Sequence, residues 1–375
     1  MTASFQRLMQ DATRLTSQGD LDAALAAIQA ALGGGAEPPA PSRRDAGLVI
    51  DVEARVVPDA PVAGELPHPA AVPGNDQAPP EAERRAAPSM PRDLPEAFIT
   101  GHFGGMGAAG RDYKLYVPPN AGDDPLPLVV MLHGCTQDPD DFAAGTAMNE
   151  AAREQGFYVL YPEQSKQANP QRCWNWFKHT HQQRGRGEPA LIAGMVREVM
   201  TQRRVDKARV YVAGLSAGGA MAAILGETYP DVFAAVGVHS GLAAGAARDL
   251  PTALEAMKKG AARPVPSTSP RPVPTIVIHG DADQTVHPTN GEQVVRATAR
   301  AGSTSETDAV HSPNGRKATR RVHRDAAGRV VVEHWVVHGA PHAWSGGMRK
   351  GSYTDPLGPD ATAAMVRFFM DHPRA

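Results

Sequence analysis

Long apolar runs, cysteines and a surplus of either charge are what this sequence has least of, and each shortage excludes something. No stretch of the 375 residues is apolar over the roughly 18 positions that a membrane-spanning helix needs. The opening MTASFQRLMQDATRLTSQGD has neither a basic n-region nor an uninterrupted apolar h-region, so no secretory signal is expected and the cytoplasm is the expected location. Two cysteines, Cys135 and Cys173, are too few for a disulfide scaffold and leave a single bridge or two free thiols open. With a net charge of −2 and no local run of Lys and Arg, nothing points to nucleic acid or an anionic membrane surface as partner. C-x-x-C and H-E-x-x-H spacings are both missing, so neither a metal nor another cofactor is expected.

What is present divides the chain in three. Phe5 to Leu32 carries apolar residues at helical spacing (Leu8 and Leu15, then Leu21, Ala24, Leu25, Ile28 and Leu32), interrupted by Gln18-Gly19-Asp20. Residues 1–33 therefore read as a helical hairpin with Asp20 capping its second helix, too small to bury a core alone and suited to docking or homo-oligomerisation. Residues 34–95 are rich in Pro and Ala, and little there offsets the entropy of ordering, so they read as a largely disordered linker. Residues 96–375 read as one catalytic domain.

In that domain Phe98 to Phe103 and Tyr113 to Val117 alternate like a hairpin across a Gly-rich turn. Leu126 to Gly134, FYVLYPE, Phe233 to Gly241 and Thr275 to Gly280 are apolar runs of the kind a strand shows when both faces are covered. Helices are expected over Asp141 to Gln155, Pro189 to Arg204, Thr252 to Lys259, Asn290 to Ala301 and Asp360 to Asp371, and a second hairpin around Asp325-Ala326-Ala327-Gly328. Strands alternating with helices imply an α/β fold, a mostly parallel sheet with helices on both faces and chemistry at the C-terminal strand ends.

One stretch organises the rest. Ala208 to Ile224 runs strand, Gly214-Leu215-Ser216-Ala217-Gly218, then apolar helix, which is the context of a nucleophile elbow. A serine on so sharp a turn needs neighbours without bulk two residues before and after it, which Gly214 and Gly218 supply. Its hydroxyl needs a base. Among fourteen histidines, His342 sits after the last strand, with His338 as its rival, while His239 and His287 read as packed histidines and His133 as shaping its loop. Asp281 and Asp283 both follow the preceding parallel strand, and Asp283 is preferred because Val286 turns the chain back into the core behind it. The order Ser216, Asp283, His342 is that of the α/β-hydrolases. Backbone N–H groups of Cys135 and Ala217 are the expected oxyanion donors. Trp174, Trp176 and Trp344, three of only four tryptophans, read either as an aromatic wall over the site or as ordinary core packing, and Trp176, Trp344 and Gln137 are the expected substrate contacts.

At these residues the chain resembles the polyhydroxybutyrate depolymerase family of α/β-hydrolase esterases, which includes feruloyl and acetylxylan esterases. The similar stretches are LHGCTQ (Leu132 to Gln137), CWNWF (Cys173 to Phe177), GLSAGGAMA (Gly214 to Ala222), HGDADQTV (His279 to Val286), HAWSGG (His342 to Gly347) and YTDPLGPDA, in that order across residues 98 to 371. The resemblance implies a serine esterase with Ser216, Asp283 and His342 as its triad, acting on polyhydroxybutyrate-type polyester or its oligomers. It differs from secreted depolymerases at both ends, which points to intracellular polyester, soluble oligomers or another ester. A carbohydrate-linked ester is the second enzymatic expectation, and a non-catalytic granule-binding protein the expectation from another class.

Overall fold

The computed structural model describes residues 95–374, except 106–109, 120, 123, 263–266, 268–271, 300–302 and 312–314. The helical pair expected over 1–33, and all but the end of the linker expected over 34–95, lie outside the described residues.

Ten strands form one mixed sheet: β1 (Ala97–Phe103), β2 (Arg111–Val117), β3 (Leu126–Leu132), β4 (Tyr158–Pro162), β5 (Val205–Leu215), β6 (Ala235–His239), β7 (Thr275–Gly280), β8 (Thr304–His311), β9 (Lys317–Arg324) and β10 (Val330–Val337). Their spatial order is β1-β2-β4-β3-β5-β6-β7-β10-β9-β8. The middle strands, β4 through β10 in that order, are parallel, and antiparallel pairs close both edges. Two short strands, β11 (Trp344–Ser345) and β12 (Thr354–Asp355), pair separately. Apart from the β8 edge, this matches the sheet the sequence predicts.

Side-chain alternation sorts the core into two layers. Along β3, Leu128, Val130 and Leu132 join one cluster while Val129 and Met131 join the other; along β5, Val210 and Val212 oppose Tyr211, Ala213 and Leu215. Successive strand residues point to opposite faces, so one sequence serves both layers. The first layer is covered by α3 (Gly187–Gln202), α4 (Ala217–Thr228), α5 (Leu250–Lys259) and α6 (Thr289–Thr298). The second is covered by α1 (Pro139–Thr146), α2 (Met148–Gln155) and α7 (Ala361–Met370), where Phe369 stacks on Tyr211 at 5.0 Å. Burying side chains such as Ile224, Leu225 and Phe369 contributes about 1.5–3 kcal/mol each.

Two departures have local causes. The single helix expected over Asp141 to Gln155 is two, because Ala147 takes a left-handed φ of 53° and ends α1. Strand β8 was not anticipated: its residues from Thr304 to Ala309 are exposed, so it carries no alternating apolar pattern to read.

Candidate active site

Ser216 joins β5 to α4 with φ 58° and ψ −118°, a backbone conformation that only glycine adopts without strain. The surroundings hold it there. Its N–H donates to the His239 carbonyl at 2.9 Å and its carbonyl accepts from Ala220 at 2.9 Å. A Cβ on Gly214 would stand 2.7 Å from the Leu132 carbonyl, and one on Gly218 would meet the same oxygen, so both sites exclude any side chain. The elbow thereby brings the start of α4 against the end of β3. A Cβ on Gly134 would lie 3.7 Å from Ser216 Cβ, which places the Gly134-Cys135 turn beside the serine. Neither the Cys135 nor the Ala217 N–H has a hydrogen-bond partner among the described residues. Ala217 opens α4, whose N-terminal dipole favours negative charge at that point.

His342 and Asp283 meet at 2.7 Å, Nδ1 to Oδ2, with the Asp283 side chain fully buried. Oδ1 of Asp283 accepts from the N–H groups of Thr285 (2.9 Å) and Val286 (2.8 Å). Burial pushes this carboxyl up, but hydrogen bonds from His279, His342 and Val286 outweigh it and hold the group well below the ordinary carboxylate range. Asp281 is engaged elsewhere: it accepts from His338 Nδ1 at 2.8 Å and from the Gly339 N–H at 2.6 Å. The rival histidine thus has the rival aspartate.

His239 ties the serine to this pair. Its carbonyl holds the Ser216 N–H, and its Nε2 accepts from the Ser345 N–H at 3.0 Å, three residues beyond His342. Strand register agrees, since Leu215 of β5 pairs with His239 of β6, His239 with Ile278 of β7, and Gly280 with Val337 of β10. All three candidate residues follow the C-terminal ends of parallel strands of one sheet, β5, β7 and β10, on one rim. Burial lowers the His239 imidazole to about 3 and that of His133 to about 4, so both are neutral at pH 7. His133 Nδ1 faces the Gly134 carbonyl at 2.8 Å and its Nε2 accepts from Gln164 at 3.1 Å, so it shapes the loop.

A family model described as esterase PHB depolymerase matches residues 111–320, over half of the chain. The chain belongs to the PHB depolymerase esterase family. It is 34% identical over 227 residues to poly(3-hydroxyalkanoate) depolymerase C of Paucimonas lemoignei, covering 58% of this chain and 54% of that protein. It is also 30% identical over 204 residues to a probable acetylxylan esterase A of Aspergillus clavatus, covering 49% of this chain and 64% of that one. The chain thus spans about half to two thirds of the length of these relatives. Among solved structures, an acetyl xylan esterase from Aspergillus awamori aligns over 73% of this chain and 99% of its own with a TM-score of 0.57 and 19% identity. The fold is that of the α/β-hydrolases. The family match includes Ser216 and Asp283 and ends before His342.

Within this family member the support around the elbow was hidden from the sequence. Glu188, at the start of α3, is buried and accepts from Asn175 N (2.7 Å), Asn175 Nδ2 (2.7 Å) and Gln164 Nε2 (2.6 Å). Burial raises its carboxyl, yet bonds from His181, Gln164 and Asn175 bring it below the ordinary value. Gln164 connects this hub to His133 and to the Cys173 carbonyl. Of the two cysteine states left open, the structure has the bridge: Cys135 and Cys173 are 2.07 Å apart at sulfur, pinning the turn beside Ser216 to CWNWF.

Of the two readings of the tryptophans, core packing describes them better, and the expected substrate contacts need correction. Trp344 is 1% exposed, stacks on His239 at 5.0 Å, meets Phe142 edge-on and donates to Thr362 Oγ1 at 3.0 Å, so it packs the floor and presents no free face. Gln137 is buried; its Oε1 accepts from Gly134 N at 2.9 Å and its Nε2 donates to Asp141 at 2.9 Å, so it braces the turn. Trp176 is 4% exposed with its edge against Phe177, which leaves it little surface to offer. A cavity of about 340 Å³ bordered by Ala223, Gly226, Val273 and Val294 includes none of the three candidate residues. Among the described residues no three of His, Cys, Asp and Glu are grouped to hold a metal, and no helix is long and apolar enough to cross a membrane.

Proposed function

We propose that this chain is a serine esterase that cleaves ester bonds of polyhydroxybutyrate-type polyesters or their oligomers through an acyl-enzyme. His342 Nε2 takes the proton from the Ser216 hydroxyl as its oxygen attacks the ester carbonyl. Asp283 holds the ring through Nδ1 and stabilises the imidazolium that forms. The N–H groups of Cys135 and Ala217 receive the oxyanion, and losing one such donor costs about 3–4 kcal/mol of transition-state stabilisation. The proton passes from His342 to the departing alkoxide, which leaves as alcohol. Water then attacks the acyl-serine with His342 again as base, releasing a 3-hydroxy acid and restoring Ser216.

The observation that carries this reading is the 2.7 Å His342–Asp283 bond, on the rim where His239 fastens both Ser216 and the His342 loop. The choice of an apolar ester rests on the segment after His342. Met348, Tyr353 and Leu357 are each nearly half exposed, and Tyr353 reaches the Thr136 hydroxyl at 3.3 Å, next to Cys135. Apolar groups exposed along the segment that follows His342 suit a polyester better than a polysaccharide. A panel of polyhydroxybutyrate film, soluble 3-hydroxybutyrate oligomers, feruloyl esters and acetylated xylan tests it. Release of 3-hydroxybutyrate with little acetate or ferulate is the expected result, and the reverse preference would transfer the chain to the carbohydrate esterases.

A further inference from the structure

Asp283 serves two histidines. Its Oδ2, which accepts from His342 Nδ1 at 2.7 Å, also lies 3.4 Å from Nε2 of His279, and both imidazoles are nearly shut off from solvent. His279 Nε2 is 2.8 Å from the Val286 carbonyl. A carbonyl only accepts, so Nε2 carries a proton, shared between that carbonyl and Oδ2. Its other nitrogen, Nδ1, is buried with no partner, and a Cβ at Gly291 would come within 2.8 Å of it. Helix α6 therefore backs the ring and holds it toward the carboxylate. The groups that face it are Asp283 and, through it, His342 from the loops, His239 from β6 and His334 from β10.

We infer that His279 is a positioning residue for the proposed reaction, clamping the 281–286 loop through Val286 and fixing Asp283 Oδ2 for His342. It touches neither substrate nor nucleophile. Without it one of the donors that fix the carboxylate is lost, and its charge falls more fully on His342. The carboxylate would then gain freedom to turn, which lowers turnover, and the imidazolium would be favoured, which moves the acid limb of the rate profile upward. The inference rests on the esterase reading, so the test must separate the two.

His279→Gln keeps an amide N–H near the position of Nε2, whereas His279→Asn is too short to reach Asp283. Two readouts apply: kcat and KM on a nitrophenyl butyrate across pH, and the rate at which a fluorophosphonate labels Ser216. Asn is expected to lower kcat about tenfold with KM within about twofold, and to raise the acid midpoint by about half a pH unit, while Gln stays within about threefold of the parent. Imidazole nitrogen NMR of the unaltered protein supplies a readout independent of variant folding: Nε2–H on His279 is expected, and a proton only on Nδ1 would overturn the inference. So would Asn behaving like the parent, or Gln and Asn falling equally with an unmoved midpoint. If the unaltered protein shows no Ser216-dependent labelling, the esterase reading fails first and this inference with it; labelling with an indifferent Asn variant sinks the inference alone.

Discussion

Lowering the pH from 7 to 5 should cost this protein a large share of its stability, because three histidines are buried in places that suit only the neutral ring. His133 and His334 are depressed to about 4 and His239 to about 3, burial being the largest cause in each. The sign follows from linkage: the unfolded chain binds these protons near 6.5 and the native state only far below, so stability is full above 6.5 and is lost as pH falls toward the native values. At pH 5 each histidine forfeits about 2 kcal/mol relative to pH 7, together roughly 5–6 kcal/mol against a typical total of about 5–15. Asp283, whose native value lies below its unfolded one, adds nothing to this window; its loss begins below about 4. Denaturant unfolding followed by tryptophan fluorescence measures the change, since all four tryptophans are buried. His334→Val on β10 removes one titration and should flatten the difference between pH 7 and pH 5 by about 2 kcal/mol. A total loss under about 1 kcal/mol, or a variant with the parent's pH dependence, would refute the reasoning.

Asp283→Asn leaves a side chain of the same shape that cannot hold the Nδ1–H tautomer of His342, and kcat should drop by about 10⁴ with modest change in KM. Trp344→Leu should cost about 3 kcal/mol of stability in a denaturant titration and leave KM alone; a rise in KM without loss of stability would restore the substrate-wall expectation. Replacing Cys135 and Cys173 together by Ser removes a bridge spanning 38 residues, for which chain entropy gives about 4 kcal/mol as an upper figure. Calorimetry reads that loss, and an unchanged melting temperature would contradict it.

Much of this architecture was legible because buried parallel strands announce themselves as apolar runs, and because the elbow's glycines are demanded by backbone oxygens, not by fashion of sequence. What stayed hidden had physical causes. The break at Ala147 is a left-handed alanine, invisible where one would look for glycine. Strand β8 is held by backbone pairing to β9 at an exposed edge and so leaves no apolar imprint. Trp344 stands next to His342 in sequence, but nearness along the chain does not give direction; in β11 its ring turns inward onto His239. Asp281 and Asp283 are alike as residue types, and only the turn back into the core at Val286 favours the second in the sequence. Which of them faces His342 is decided by Gly339 and His338 occupying the first. The buried partners come from separate elements, and only the fold brings Glu188 and Gln164 together behind the Cys135 turn and His279 against Asp283.

The central claim is that Ser216 is an activated nucleophile served by His342. Treating the protein with a fluorophosphonate at neutral pH and locating the adduct by peptide mass spectrometry tests it most directly. One adduct per chain on Ser216, absent in Ser216→Ala and greatly slowed in His342→Ala, is the predicted result; no adduct, or labelling that persists when Ser216 is removed, would contradict it.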